Sequence, residues 1–293
     1  MRFAPEQNSL AEAADHLAQA LAGYRQVLVL SGAGLSTASG IGDYRDAQGV
    51  YKRPPPITIS RFLGSHAARQ RYWARSLFGW PAFNAAQPNA GHRALARLQE
   101  ACQNRGEPGF AVITQNVDEL HQSAGHADVL ELHGSLKQVE CLDCGLRAPR
   151  EALQQRLLAA NAQLTATRRE LLPDGDAELD DADFAAVVVP GCERCGGVLK
   201  PTVVFFGDSV PRSLVEESFS RVDAADALLI VGSSVMIHSG FRFCRRAHER
   251  GIPQFAVNQG RTRADDWLHA KYLFGCEVLL PAVQERQVPS VVK

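Results

Sequence analysis

Short apolar runs, each ending in a polar or glycine-rich loop, recur along the chain. Residues 26–30 (QVLVL) run into Ser31-Gly32-Ala33-Gly34, and residues 110–113 (FAVI) run into Thr114-Gln115-Asn116-Val117-Asp118. Residues 203–206 (VVFF) precede Gly207-Asp208, and residues 227–231 (ALLIV) precede Gly232-Ser233-Ser234. A fifth run, 254–257 (QFAV), precedes Asn258-Gln259-Gly260. Uninterrupted apolar runs predict strands buried on both faces, as in a parallel sheet covered by helices. The segments 10–22, 91–103, 213–224 and 239–250 have helical apolar spacing and supply those helices. Open parallel sheets bind ligands at the carboxyl ends of their strands, so five loops at five strand ends outweigh any single motif.

The predicted fold class is α/β: a Rossmann-like, doubly wound parallel sheet with a smaller inserted module. Two stretches break the strand–helix rhythm. One holds a Pro-Pro-Pro run and the aromatic, Arg-rich RQRYWARSLFGWPAF; the other holds paired cysteines around a helix-like span and the polar LLPDGDAELDDADF. The expected core covers about 10–47, 89–138 and 200–282, and the small module about 48–88 plus 139–199, all within one catalytic domain spanning 1–293.

The 293 residues are 45% hydrophobic and 22% charged, with formal net charge −1. That balance offers no basic field for nucleic acid or an anionic membrane, so neither is an expected partner. The start, MRFAPEQNSL, carries no apolar signal core, and no apolar run is long enough for a membrane span. The expected location is the cytoplasm and the expected state a monomer. Four of the seven cysteines form two C-x-x-C pairs, Cys141/Cys144 and Cys192/Cys195, which argues for metal rather than a disulfide framework. Four thiolates fill a tetrahedral shell, so the expectation is one structural Zn2+ per chain; a redox C-x-x-C is the competing reading.

Gly32-Ala33-Gly34-Leu35-Ser36 follows a buried strand and can bring backbone N–H groups close to a pyrophosphate, although a plain structural turn has the same composition. Ser39-Gly40-Ile41-Gly42-Asp43-Tyr44-Arg45 adds an Arg able to pair with phosphate or to lie solvated. Gln115, Asn116 and Asp118 can hydrogen-bond a ribose or a carboxamide, or cap the next helix. His133, beside Gly134, suits a general base near neutral pH, against the bland reading of one more core or surface histidine among nine.

Taken together, the ordered motifs GAGLSTASGIGDYR, TQNVDELHQSAGH, ELHGS, two C-x-x-C pairs, LKPTVVFFGD, VGSS and VNQG resemble the sirtuin family over nearly the whole chain. RQRYWARS, GWPAF, LLPDGD and VVFFGD resemble its class II branch. Gly42 stands where the family usually has Pro, Tyr44 where it often has Phe, and Thr202 where Asp is common. The resemblance implies an NAD-dependent protein lysine deacylase whose partners are acylated lysines on proteins. It implies NAD contacts from Gly32, Ala33, Gly34, Ser36, Asp43, Tyr44 and Arg45, and from Gln115, Asn116 and Asp118. Gly232, Ser233, Ser234, Asn258, Gln259, Gly260 and Cys276 would hold the phosphate and adenosine half. Catalytic roles are implied for His133, Asn116, Asp118 and Arg45, with His133 taking a proton from the ribose hydroxyl. Val204, Phe205, Phe206 and Gly207 are the implied substrate border.

Two other readings use the same residues: a mono-ADP-ribosyltransferase, and a catalytically weak NAD or acyl sensor. The Y-x-x-R spacing of Tyr72 and Arg75 puts both on one face of a helix. A similar pair in part of the family holds an acyl carboxylate; the plain alternative is a solvated Arg and a packed Tyr.

Overall fold

The computed structural model describes residues 9–52, 56–106, 109–166 and 181–287. Nearly all of the N-terminal decapeptide, most of the Pro-Pro-Pro run and most of the LLPDGD loop lie outside the described residues.

Six strands form one parallel sheet: β1 (Gln26–Ser31), β2 (Gly109–Thr114), β3 (Val129–Glu131), β7 (Ala227–Val231), β8 (Gln254–Val257) and β9 (Ala270–Tyr272). Their order is β3-β2-β1-β7-β8-β9. The chain moves outward one way from β1 and then restarts on its other side at β7, so the sheet has a topological switch between them. β1 is buried from Val27 to Ser31 and β7 throughout, as the apolar runs require.

Helices cover both faces. α1 (Leu10–Ala22), α4 (Ala90–Asn104) and α11 (Cys276–Gln287) pack with Val27, Val29, Leu229 and Val257 in one buried cluster. On the other face, Leu28, Leu30, Leu228 and Ile230 meet Val222 of α9 (Arg212–Ala224) and Phe243 of α10 (His238–Glu249). The alternation Val27/Leu28/Val29/Leu30 therefore feeds two separate clusters, which is why β1 is apolar at all four of these positions. α1 is amphipathic: Ala13, Ala14, Leu17, Ala18 and Leu21 are buried at i, i+3 or i+4 spacing, and Ser9 caps the first turn.

A second, antiparallel sheet has the order β5-β4-β6, from β4 (Gly134–Cys141), β5 (Arg147–Pro149) and β6 (Leu199–Val203). Packed against it are α3 (His66–Ala85), which follows the short α2 (Ile59–Gly64), and α6 (Arg150–Ala160). Trp73 and Leu77 of α3 share one buried cluster with Val139, Leu153, Leu157 and two of the paired cysteines. Three short helices complete the set: α5 (Leu120–Ser123), α7 (Ala162–Ala166) and α8 (Asp181–Ala186).

One strand expectation is corrected. Residues 203–206 are not a strand of the parallel sheet; Val203 ends antiparallel β6, and Phe205 packs on Phe62 and Tyr72 with ring centroids 5.0 and 5.3 Å apart. An apolar run records burial, and here the burial comes from an aromatic cluster rather than a strand core. The parallel sheet gains β3 and β9 instead, each three residues long and too short to show a period.

Candidate active site

The loops after β1 and β7 meet at the topological switch with no room for side chains. The Gly34 N–H donates to the Gly232 carbonyl at 2.8 Å, and a Cβ on Gly34 would lie 2.9 Å from that oxygen. Gly232 has φ +57 and a Cβ there would sit 2.2 Å from the Leu35 nitrogen. Only glycine fits both positions. Asn89 clamps the same loop from behind. Its Oδ1 accepts from the Gly91 N–H to cap α4, while its Nδ2 donates to the Leu35 carbonyl at 2.7 Å and to Ser39 Oγ at 3.0 Å.

The β2 loop meets this turn through buried polar contacts. Asn116 Nδ2 donates to the Gly32 carbonyl (3.1 Å) and to Ser36 Oγ (3.0 Å), and Ser36 Oγ donates to Asp118 Oδ2 at 2.7 Å. Asp118 Oδ1 accepts from the Leu120 N–H at 2.9 Å. Burial raises the Asp118 carboxyl above its ordinary pKa, and these two donors partly offset that. Gln115 Nε2 donates to Ser233 Oγ at 2.7 Å, tying the β2 loop to the β7 loop. Two residues on, buried Val235 is held at φ 44, a conformation that a β-branched residue rarely adopts and that marks a strained turn.

His133 sits between β3 and β4, where the chain leaves the parallel sheet. Its Nδ1 is 2.9 Å from the Gln115 carbonyl oxygen and its Nε2 is 2.9 Å from Ser239 Oγ. A carbonyl only accepts, so Nδ1 carries the proton and Nε2 keeps its lone pair. Burial lowers the imidazole's pKa, so the ring is neutral at pH 7.

One continuous cleft of about 2480 Å3 runs along these loops. It exceeds the range of roughly 300–1,000 Å3 usual for a single small-molecule pocket, leaving room for a large ligand and a second one. Every non-cysteine residue singled out from the sequence lines this cleft. Arg45 lies with its guanidinium 3.7 Å over the Tyr51 ring and donates to the Gly49 carbonyl, while Asp43 pairs with Lys52. Asn258 Nδ2 donates to the Gly260 carbonyl, and the Arg261 N–H donates to the Ala47 carbonyl, joining the β1 and β8 loops. Cys276, buried at the start of α11, lines the same side. Tyr72 belongs to the aromatic cluster of Phe62, Trp73 and Phe205, and Arg75 is exposed one turn along α3. Sequence reading missed the residues behind the loops: Ser31 Oγ donates to Thr114 Oγ1 and contacts His121 Nε2, and Thr114 Oγ1 accepts from the Asn116 N–H. It also missed Ser239, which no local pattern marks.

A family model described as the Sir2 family matches residues 32–239. The chain belongs to the Sir2 family. This family member is 51% identical over 263 residues to the NAD-dependent protein deacetylase of Bordetella bronchiseptica, covering 90% of this chain and 94% of that protein. It is 53% identical over 253 residues to the protein of the same name from Xanthomonas axonopodis pv. citri, covering 86% and 85%. Among solved structures it resembles a Sir2–p53 peptide–NAD+ complex with TM-score 0.72, 27% identity and 92% and 97% coverage. It resembles Sir2Tm bound to a propionylated peptide with TM-score 0.70, 26% identity and 93% and 97% coverage.

The Sir2-family chain has a separate metal centre. The Sγ atoms of Cys141, Cys144, Cys192 and Cys195 all lie within 4.8 Å of one another, with Cys141–Cys195 at 3.5 Å and Cys144–Cys192 at 3.7 Å. Tetrahedral Zn–S bonds of about 2.3 Å place sulfurs about 3.8 Å apart, so the set fits one Zn2+ with no open position. Gly145 and Gly196 take positive φ just after each pair and turn the chain back, with N–H groups donating to the carbonyls of Cys141 and Cys192. Among the described residues, no helix is long and apolar enough to cross a membrane.

Proposed function

We propose that this chain is an NAD-dependent protein lysine deacylase that transfers the acyl group to ADP-ribose and releases nicotinamide. The observation that carries the reading is the His133 Nε2 lone pair, held on the same cleft as Asn116, Asp118 and the Gly34/Gly232 turn. The similar proteins named NAD-dependent protein deacetylase support it, as does the likeness to a Sir2 structure holding both peptide and NAD+.

The residues fit a dinucleotide. Gly34 and Gly232 let the β1 and β7 loops touch at the switch point, which brings the carboxyl ends of both strands to one side of the cleft, where a dinucleotide can span them. Bound NAD supplies an electrophilic ribose carbon and nicotinamide as leaving group. His133 Nε2 accepts a proton from the ribose hydroxyl, and the Gln115 carbonyl steadies the ring as it becomes charged. Asn116 and Asp118, locked through Ser36, orient the ribose and nicotinamide without reorganising. Arg45 would have to leave Tyr51 to reach phosphate. Ser234, Asn258, Gln259 and Gly260 bound the adenosine side, and Val204–Gly207 the peptide side.

The core-and-module division and the class II assignment belong to this reading, supported by the two sheets and the class II-like segments. A monomer as the working unit belongs to the same reading. The tetrathiolate centre needs reduced cysteines, which supports a cytoplasmic location. The test is mass spectrometry of reactions containing NAD and an acyl-lysine peptide. O-acyl-ADP-ribose with free lysine supports deacylation; ADP-ribosylated protein without it replaces deacylation with the transferase reading.

A further inference from the structure

The His133 imidazole is held at both of its nitrogens. Nδ1–H donates to the Gln115 carbonyl at 2.9 Å, so Nε2 is an acceptor, and Ser239 Oγ, 2.9 Å from it, must be the donor. The two contacts come from different elements, the β2 loop and the first turn of α10. Gly240 allows the second one: a Cβ there would lie 2.5 Å from Gln115 Oε1 and push α10 off the β2 loop. Three residues past Ser239, Arg242 donates from Nε to the Ser239 carbonyl at 3.0 Å and lines the cleft beside His133 and Ser239.

Arg242 differs from the other arginines of its helix. Arg246 and Arg250 pair with Asp223, and Arg245 pairs with Glu249, whereas among the described residues no carboxylate pairs with Arg242. Partial burial lowers its guanidinium below the ordinary arginine value, and its charge disfavours protonation of His133. The other groups near the ring are engaged or shared by every variant considered below. Asp118, on the β2 loop, accepts from Ser36 and from the Leu120 N–H. Glu131, two residues earlier on β3, is raised to about 7 by burial, and His238, next to Ser239 on α10, is exposed. The segment after β6 meets His133 through the Val204 N–H, which donates to the His133 carbonyl at 2.9 Å.

We propose that Ser239 and Arg242 are positioning residues for the base: Ser239 aims the Nε2 lone pair of His133 and yields it to the ribose hydroxyl, while Arg242 holds a positive charge beside the ring. The inference rests on the deacylase reading. A hydroxyl that donates to Nε2 stabilises the neutral imidazole, and a nearby cation destabilises the imidazolium, so both keep the base free of protons. Nε2 has one lone pair, so the ribose hydroxyl and Ser239 compete for it, and a serine gives way by turning about χ1. In the step itself the proton leaves the ribose oxygen and bonds to Nε2, and the ring goes from neutral to singly charged. Ser239 Oγ then serves as an acceptor for the new N–H, because a hydroxyl has both roles.

The test measures pH profiles of kcat and of kcat/KM for NAD at saturating acetyl-lysine peptide. A second readout needs no turnover: NMR titration of the His133 ring in histidine-labelled protein, its signal assigned by its loss in His133→Ala. The kcat/KM limb reports the base before the ribose arrives, and the kcat limb reports it afterwards. Ser239→Ala should raise the acid limb of kcat/KM and the ring titration by roughly half to one pH unit, the scale of one hydrogen bond. The kcat limb should move less, because the ribose hydroxyl then holds Nε2. Arg242→Gln should move the kcat/KM limb and the ring titration in the same direction, with Arg242→Lys closer to wild type. Ser239→Thr, which keeps the hydroxyl, should restore the wild-type limb. If melting shows that Ser239→Thr does not fold, Ser239→Cys, a weaker donor, should fall between alanine and wild type. Residues that only pack α10 on the β2 loop would scale the profile at every pH and leave the limb in place. An unmoved limb and ring titration in folded Ser239→Ala and Arg242→Gln overturn the assignment. If no acyl-lysine is turned over, the deacylase reading fails, while the NMR titration still decides whether Ser239 and Arg242 govern His133.

Discussion

The Nδ1–H of His133 donates to the carbonyl oxygen of Gln115 across 2.9 Å, which leaves the opposite ring nitrogen as the lone-pair atom. A residue in the β2 loop thus sets the tautomer of a base that lies between β3 and β4. His133→Ala should lower deacylation by about 10²–10⁴-fold with the fold kept. Because burial lowers the imidazole's pKa, the acid limb of kcat/KM set by His133 should fall below about 6.5, the ordinary histidine value. Wild-type turnover in the variant, or an acid limb above neutrality in the native enzyme, would remove His133 from this role.

Ser36 links Asn116 to Asp118 from a fully buried position. Ser36→Ala deletes a hydrogen bond to a buried carboxyl, which typically costs about 1–3 kcal/mol. The lost donor favoured the charged form, so the Asp118 carboxyl should titrate higher and weaken NAD binding first at acid pH. Calorimetric NAD titrations at pH 6 and 8 check this; equal affinity loss at both would show that Ser36 acts by packing alone.

The four-cysteine centre should hold one Zn2+ per chain by elemental analysis. Cys141→Ser or Cys195→Ser should cost several kcal/mol, roughly 10 °C or more in Tm for a chain of this size. The centre is outside the cleft, so chelation should stop catalysis only as the β4–β6 sheet loosens. Metal-free protein of undiminished stability would contradict the assignment.

Behind the β2 loop, His92, His121 and His126 pack ring against ring, with centroids 5.3 and 4.8 Å apart. Among the described residues Nε2 of His92, Nδ1 of His121 and both ring nitrogens of His126 are buried without a hydrogen-bond partner. Burial pulls His92 and His126 down to about 4 and His121 well below its ordinary value. Each folded pKa lies below its unfolded value, so the unfolded chain binds more protons in between. The stabilisation is therefore complete above about pH 6.5 and is lost as pH falls toward 4, on the order of a few kcal/mol in all. Urea unfolding at pH 7 and pH 5 should show the loss, and His126→Leu should flatten it. A pH-independent midpoint over that range would argue that the three rings are hydrated in solution.

The positions of β1, β2, β7 and β8 and of four helices were legible in the sequence because each is a long apolar run or a clear helical stripe ending in glycine or amide residues. The paired cysteines were equally legible, since C-x-x-C spacing is local and their partnership follows from tetrahedral coordination. Residues 203–206 misled because an apolar run reports burial without saying what does the burying. β3 and β9 escaped because three residues carry no period.

Other features exist only after folding. The Ser36–Asn116–Asp118 chain joins residues some eighty positions apart, Ser239 meets His133 from a distant helix, and Arg150 meets Trp73 and Trp80 across two helices. The sequence by itself determined which residue types stand at the strand ends, because propensity and burial pattern act locally along the chain. Only the tertiary structure decided which of them share a hydrogen bond, which nitrogen of His133 carries the proton, and that Arg150 is buried without a counter-ion among the described residues. Those outcomes depend on packing between distant segments, and no local pattern encodes it.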